Sequence, residues 1–260
     1  MISLLRESRI SWISSKFAAK NIIREFLVYA KRPTYILEES VITQKEKIFY
    51  IKQLLKFEAC VALILFPLIF LTKELTNAEY SGFKEDNWKT YFIVVLVAPI
   101  LEEVIFRNAL RYSRIAIAIG ICLGSWWIAE SSIIQSKYIP TAVGLSFLLV
   151  PIIYIGLKYC DSPLKNFWTN NFHVVFHVIA ISFGLMHLLN YDNINNYLLA
   201  IPLVSVQIVF GYLFGFVRMK FGLSYSIGLH ITWNFILSIY LLTTLIIDLF
   251  LIPIMIHFNY

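Results

Sequence analysis

WKTYFIVVLVAPILEEVIFRNAL, residues Trp88 to Leu110, decides the reading of this chain. The stretch is apolar over a bilayer-spanning length, yet its second half carries Glu102, Glu103 and Arg107. A carboxylate at the centre of a membrane helix costs about 2.5–3.5 kcal/mol on insertion scales. Two adjacent ones need a partner or a use. A helix turns roughly 100° per residue, so residues four apart share a face. Glu103 and Arg107 are therefore expected to pair, each neutralising the other in low dielectric. Glu102 points about 100° away and keeps no such partner, which leaves it free for chemistry. Pro99, just upstream, removes a helical hydrogen bond and is expected to kink the helix toward a polar cavity.

The surroundings of this stretch are membrane-like throughout. Apolar residues make up 59% of the 260, charged residues 15%, and the mean hydropathy is +0.73. A soluble domain carries about 25% charged residues. The apolar runs approach bilayer length and lack the period-2 alternation of barrel strands, so the fold class is an all-α polytopic membrane protein. Hydropathy places spans near 57–72, 88–111, 115–134, 139–157, 170–190 and 197–217, followed by a run from Leu223 to Phe258 too long for one crossing. A bundle of about 7–8 transmembrane helices is expected. Cys60, Cys122 and Cys160 match no zinc or redox spacing and read as packing residues. Gly120-x-x-x-Gly124 and Gly211-x-x-x-Gly215 read as close helix contacts.

Charge is placed unevenly. Residues 1–56 hold 11 of the 22 Lys+Arg and 5 of the 16 Asp+Glu, which is the whole net charge of +6. Ile10, Trp12, Ile13, Phe17, Ile22, Ile23, Phe26 and Leu27 recur there at near-helical spacing among the basic residues. The expected domain organisation is a basic amphipathic extension over 1–56 lying on an anionic cytoplasmic leaflet, then a transmembrane domain over 57–260. The alternative is an arm packed on the membrane domain. This charge is suited to lipid, and no nucleic-acid partner is expected. Arg111, Arg114, Arg218 and Lys220 fall on the same side as the N-terminus, which the positive-inside rule makes cytoplasmic.

Two further segments carry polar groups into the spans. Phe183-Gly-Leu-Met-His187 places Phe and His on one face, and His230-Ile-Thr-Trp-Asn234 does the same for His and Asn. A single histidine in a span is commonly a hydrogen-bonded packing residue. Together, Glu, His, His and Asn on three spans can activate a water and stabilise an oxyanion. His173 and His177 share a face but begin their span near the interface. Glu58 reads as interfacial at the start of the first span, Glu130 as part of an aromatic belt beside Trp126 and Trp127, and His257 as uninformative.

Glu102-Glu103-x-x-x-Arg107, Phe183-x-x-x-His187 and His230-x-x-x-Asn234, in that order, resemble the motifs of the CPBP intramembrane proteases. That family includes the type II CAAX prenyl endopeptidases and the bacterial bacteriocin-immunity (Abi) proteins. The resemblance covers roughly 88–245. It implies a helical core with its site inside the bilayer and an endopeptidase acting on a membrane-associated or lipidated (CAAX-like) protein or peptide. A bacterial plasma membrane is the expected location. By the family pattern Glu102 and His187 activate the water, His230 and Asn234 hold the oxyanion, and Glu103, Arg107 and Phe183 support them. The family has been described as metalloproteases, and Glu102, His187 and His230 are the zinc set if zinc binds. A glutamate-activated water without metal is preferred, because HExxH is absent and Asn is a poor zinc ligand. A catalytically silent scaffold or self-immunity protein of the same family is the alternative function. A proton-relaying transporter would show repeated broken helices in two halves, and none is found.

The chain departs from the family spacing. Glu102 and His187 are 85 residues apart, and residues 115–157 read as an inserted pair of spans. Counting from the helix ends, His187 lies roughly 9 Å off the depth of Glu102 at about 1.5 Å per residue. The site exists only if tilt or a recessed helix end absorbs that difference. The cavity is expected to open toward the basic, cytoplasmic side.

Overall fold

The computed structural model describes residues 19–36, 42–81, 88–132 and 139–239, with 127–132 and 139–148 described by backbone course alone. Ile10, Trp12, Ile13, Phe17, His257, the side chains of Trp127 and Glu130, and the second half of the Leu223–Phe258 run lie outside the described residues.

The described chain is almost wholly helical: α1 (Ala19–Lys31), α2 (Gln44–Thr76), α3 (Trp88–Phe92), α4 (Ala98–Phe106), α5 (Arg114–Ser132), α6 (Ile139–Tyr159), α7 (Asp161–Asn170), α8 (Phe172–Met186), α9 (Tyr197–Ala200), α10 (Ser205–Phe221) and α11 (Leu223–Leu237). Among the described residues, the helical stretches Gln44–Thr76, Phe172–Asn190 and Tyr197–Phe221 are long and apolar enough to cross a membrane. Leu63, Ile64, Phe66, Phe70 and Leu75 of α2 are exposed, as a lipid-facing surface requires. The protein is an integral membrane protein of helical class.

α2 starts well before its apolar run because Thr43 and Glu46 form a reciprocal capping box. It ends at Asn77, whose left-handed backbone (φ 53°) closes the last turn. The core is aromatic and lies between α8 and α10, with Phe176, Phe183, Phe210, Phe214 and Phe216 all buried. α10 lies directly on α8 because Gly211 has no side chain; a Cβ there would meet the Ala180 carbonyl oxygen at 2.3 Å. Gly120 does the same for α5, where a Cβ would sit 2.9 Å from the Ile105 carbonyl oxygen. Gly215 likewise leaves room for the Phe176 ring, which a Cβ would meet at 2.8 Å, whereas a Cβ at Gly124 would make only an ordinary contact at 3.6 Å. α5 and α6 form a hairpin behind α4.

The N-terminal helix corrects one expectation. Ile22, Phe26 and Tyr29 of α1 are buried in the same aromatic core, with Phe26 and Tyr29 against Phe216 at ring distances of 5.7 and 5.2 Å. Its apolar face thus packs on protein, because an aromatic-lined groove of α8 and α10 offers closer contact than lipid. Glu25 fixes the helix by accepting hydrogen bonds from Tyr50 and Lys220. Lys20, Arg24 and Lys31 remain outward on the opposite stripe.

Candidate active site

α3 and α4 are not one regular helix. Between them Ile93–Val97 forms a π-helical turn, in which the Ala98 N–H reaches back to the Ile93 carbonyl. The next carbonyl, Val94, would need the N–H of residue 99, which is proline. Asn234 of α11 fills the vacancy, its Nδ2 donating to Val94 O at 2.9 Å. The expected Pro99 kink therefore takes the form of a widened turn tied across to α11.

About one turn past Pro99, Glu102 and Glu103 diverge as their spacing requires. Glu103 is fully buried and faces Arg107, whose Nε lies 3.5 Å from Glu103 Oε1. Glu103 also accepts hydrogen bonds from the Ser226 hydroxyl and from His230 Nδ1, the latter at 3.1 Å. Arg107, also fully buried, is held by that ion pair and by rings: its guanidinium lies 3.7 Å from the Phe183 centroid, with Phe214 at 5.5 Å and Phe106 at 5.7 Å. Phe183 thus forms the seat of Arg107, and its edge also meets the His187 ring at 4.9 Å.

Glu102 faces the other way. Its Oε2 is buried without a hydrogen-bond partner and lies 3.9 Å from His187 Nε2 and 3.6 Å from His230 Nε2. Both imidazoles are oriented from behind. His187 Nδ1 lies 2.8 Å from the Phe183 carbonyl, and His230 Nδ1 is on the Glu103 carboxylate. A carbonyl and a carboxylate can only accept, so both Nδ1 atoms carry hydrogen and both Nε2 atoms face Glu102. Phe214 stacks on His230 at 4.4 Å and fixes the ring plane.

The separations of 3.6 and 3.9 Å exceed direct hydrogen bonds, and each is short enough for one oxygen to bridge the pair at about 2.8 Å from both atoms. Zinc suits the spacing less well. Tetrahedral bonds of about 2.0–2.2 Å set neighbouring donors roughly 3.4 Å apart. Among the described residues no three His, Cys, Asp or Glu groups are placed to hold a metal.

Glu102, His187, His230 and Asn234 line one cavity of about 380 Å³, together with Phe183, Phe210, Phe214 and Trp233. The depth difference between Glu102 and His187 is absorbed because the Glu102 helix ends inside the bundle: Phe106, Arg107, Ala109 and Leu110 are all buried. His187 closes the far end of α8, where the helix tightens into a 3₁₀ turn, His187–Asn190. The hairpin α5–α6 contributes no lining residue among those described. His177 stands apart, 3.0 Å from the Tyr212 hydroxyl.

Two expectations are corrected here. Glu58 is not interfacial: it is 0% exposed, with no hydrogen bond to either oxygen. Tyr50, Leu54 and Glu58 share the buried face of α2, a four-residue repeat that hydropathy averaging hides. The cavity also opens the other way. From Glu102 it runs past Ala98, Val94 and Ile93; from His230, past Asn234 to Ser238; from Phe214, past Phe210 to Val206; from His187, to Asn190. All four lead away from the basic ends at Arg111, Arg218 and Lys220, where Phe216, Met219 and Phe221 seal the bundle.

A short ribbon lies at the open end, pairing Glu79–Tyr80 with Tyr191–Asp192. Tyr80 lines the cavity there. Burial, and after it Tyr191 and the Glu102 carboxylate, push its phenol up to about 12, so it stays a neutral group.

A protein-family model described as type II CAAX prenyl endopeptidase Rce1-like matches residues 84–236 of this chain. No curated protein and no solved structure matches it.

Proposed function

The chain belongs to the Rce1-like type II CAAX prenyl endopeptidase family, and from that premise we propose that it is an intramembrane endopeptidase driven by a glutamate-activated water. The observation that carries this is Glu102 Oε2, without a hydrogen-bond partner, facing two oriented Nε2 atoms at 3.6 and 3.9 Å inside a closed-floored cavity. A water at their apex would give a proton to Glu102 while His187 Nε2 holds it in line. Its oxygen would attack the peptide carbonyl carbon. The oxyanion would face His230 Nε2 and the Nδ2 hydrogen of Asn234 that Val94 does not use. Donation from His230 Nε2 requires the doubly protonated ring. Collapse breaks the C–N bond, and the proton held by Glu102 leaves on the amine.

The substrate at family level is a membrane-associated protein; we read it as a peptide segment, lipidated or CAAX-like. We place the N-terminus and α1 on the cytoplasmic side of a bacterial plasma membrane, with 7–8 spans in residues 57–260 and the α5–α6 hairpin as the insertion at 115–157. Lys20, Arg24 and Lys31 on the outer stripe of α1 meet anionic headgroups there. The test is membrane proteomics of cells carrying wild type or Glu102→Ala. An uncut membrane protein is expected to accumulate only with the variant. Identical proteomes would favour the silent scaffold or immunity reading.

Without a metal in the mechanism, extensive chelation is expected to leave turnover unchanged, and elemental analysis to find no stoichiometric zinc. One zinc per chain, lost together with activity, would reverse this.

A further inference from the structure

We propose that this site receives its peptide from the extracytoplasmic side, past the Tyr80–Tyr191 ribbon, so that its substrates are exported or outward-facing segments. The inference rests on the proteolytic reading above but concerns the direction of access. Four elements agree on that direction. Along α3–α4, α8, α10 and α11 the cavity-lining residues run from Glu102, His187, Phe214 and His230 toward Ile93, Asn190, Val206 and Ser238. At the opposite end of the bundle Arg111 and Arg114 follow α4, and Arg218 and Lys220 close α10, with α1 held there through Glu25 and Lys220. Basic ends mark the cytoplasm.

The cytoplasmic route is sealed as well as charged. Directly beneath Glu102 lie Glu103, Arg107 and Ser226, all 0% exposed, and then Phe216, Met219 and Phe221. A peptide from that side would have to displace a buried ion pair and an aromatic layer. The other end is built to receive one. Gln207 lines the cavity, and its buried Oε1 has no hydrogen-bond partner. Such an acceptor suits a backbone N–H of an extended peptide. Tyr80 adds a neutral hydroxyl, and Ile93, Phe210 and Trp233 add apolar walls.

The test is accessibility from each side of the membrane. In the full chain with Cys60, Cys122 and Cys160 replaced by alanine, Leu237→Cys sits at the cavity mouth and Lys165→Cys is exposed at the basic end, next to the Arg114–Asp161 ion pair. A charged, membrane-impermeant maleimide is added to intact spheroplasts or to inverted vesicles. Leu237→Cys is expected to label only in spheroplasts and Lys165→Cys only in inverted vesicles. Asn190→Cys repeats the first measurement if Leu237→Cys does not accumulate. Labelling of both positions from the same side, labelling with the sides exchanged, or no labelling at the mouth from outside would each overturn the proposal. The readout is independent of turnover, so a failure of the proteolytic reading would show separately in Glu102→Gln.

Discussion

Glu102→Gln is expected to abolish turnover and leave the fold intact. The amide matches the carboxylate in shape but takes no proton from water. Loss of a positioned base costs typically 10²–10⁴-fold in rate. Stability should hardly change, because Glu102 Oε2 accepts no hydrogen bond in the folded protein and an amide N–H₂ there faces the His187 Nε2 acceptor. The measurement pairs cleavage of a membrane substrate with thermal unfolding of the purified protein in detergent. Wild-type turnover in the variant would end the catalytic reading. Loss of turnover with a large fall in melting temperature would mean that Glu102 is structural.

The sequence made some of this geometry legible and hid the rest for identifiable reasons. Four-residue spacing on one helix was enough to pair Glu103 with Arg107, since both side chains belong to a single rigid turn. It was also enough to send Glu102 elsewhere. Asn234 was harder. Its hydrogen bond to Val94 depends on a π-helical turn and a proline whose joint effect is to orphan one carbonyl, 140 residues away in sequence. Ser226 and Phe214 carried no motif at all, and only the helix packing brings them to Glu103 and His230. Hydropathy sets Glu58 at a boundary because the apolar run starts there, whereas α2 itself begins at Gln44. The side on which the cavity lies is hidden for another reason. Loop charges report which ends of the helices face the cytoplasm, not which ends are hollow. The polar residues Asn190 and Gln207, both beyond the site from the basic ends, are the available signal.

Glu103→Gln should fail differently, by loss of stability. Glu103 is the only described carboxylate paired with Arg107, and it also orients His230 and accepts from Ser226. Arg107 is 0% exposed and otherwise surrounded by Phe106, Phe183 and Phe214. Removing one partner of a buried ion pair costs about 3–5 kcal/mol, because the other charge is left uncompensated. The variant is therefore expected to unfold at a clearly lower temperature than Glu102→Gln under the same conditions. Arg107→Met should be destabilising for the mirror reason. The double variant Glu103→Gln/Arg107→Met should lose less than the sum of the two, since each change removes the charge the other strands. It should not return to wild type, because His230 Nδ1 and the Ser226 hydroxyl still lose their carboxylate. Additive losses would show that the two residues do not act as a pair. A Glu103→Gln protein as stable as wild type would show that the buried guanidinium is compensated by the aromatic rings alone.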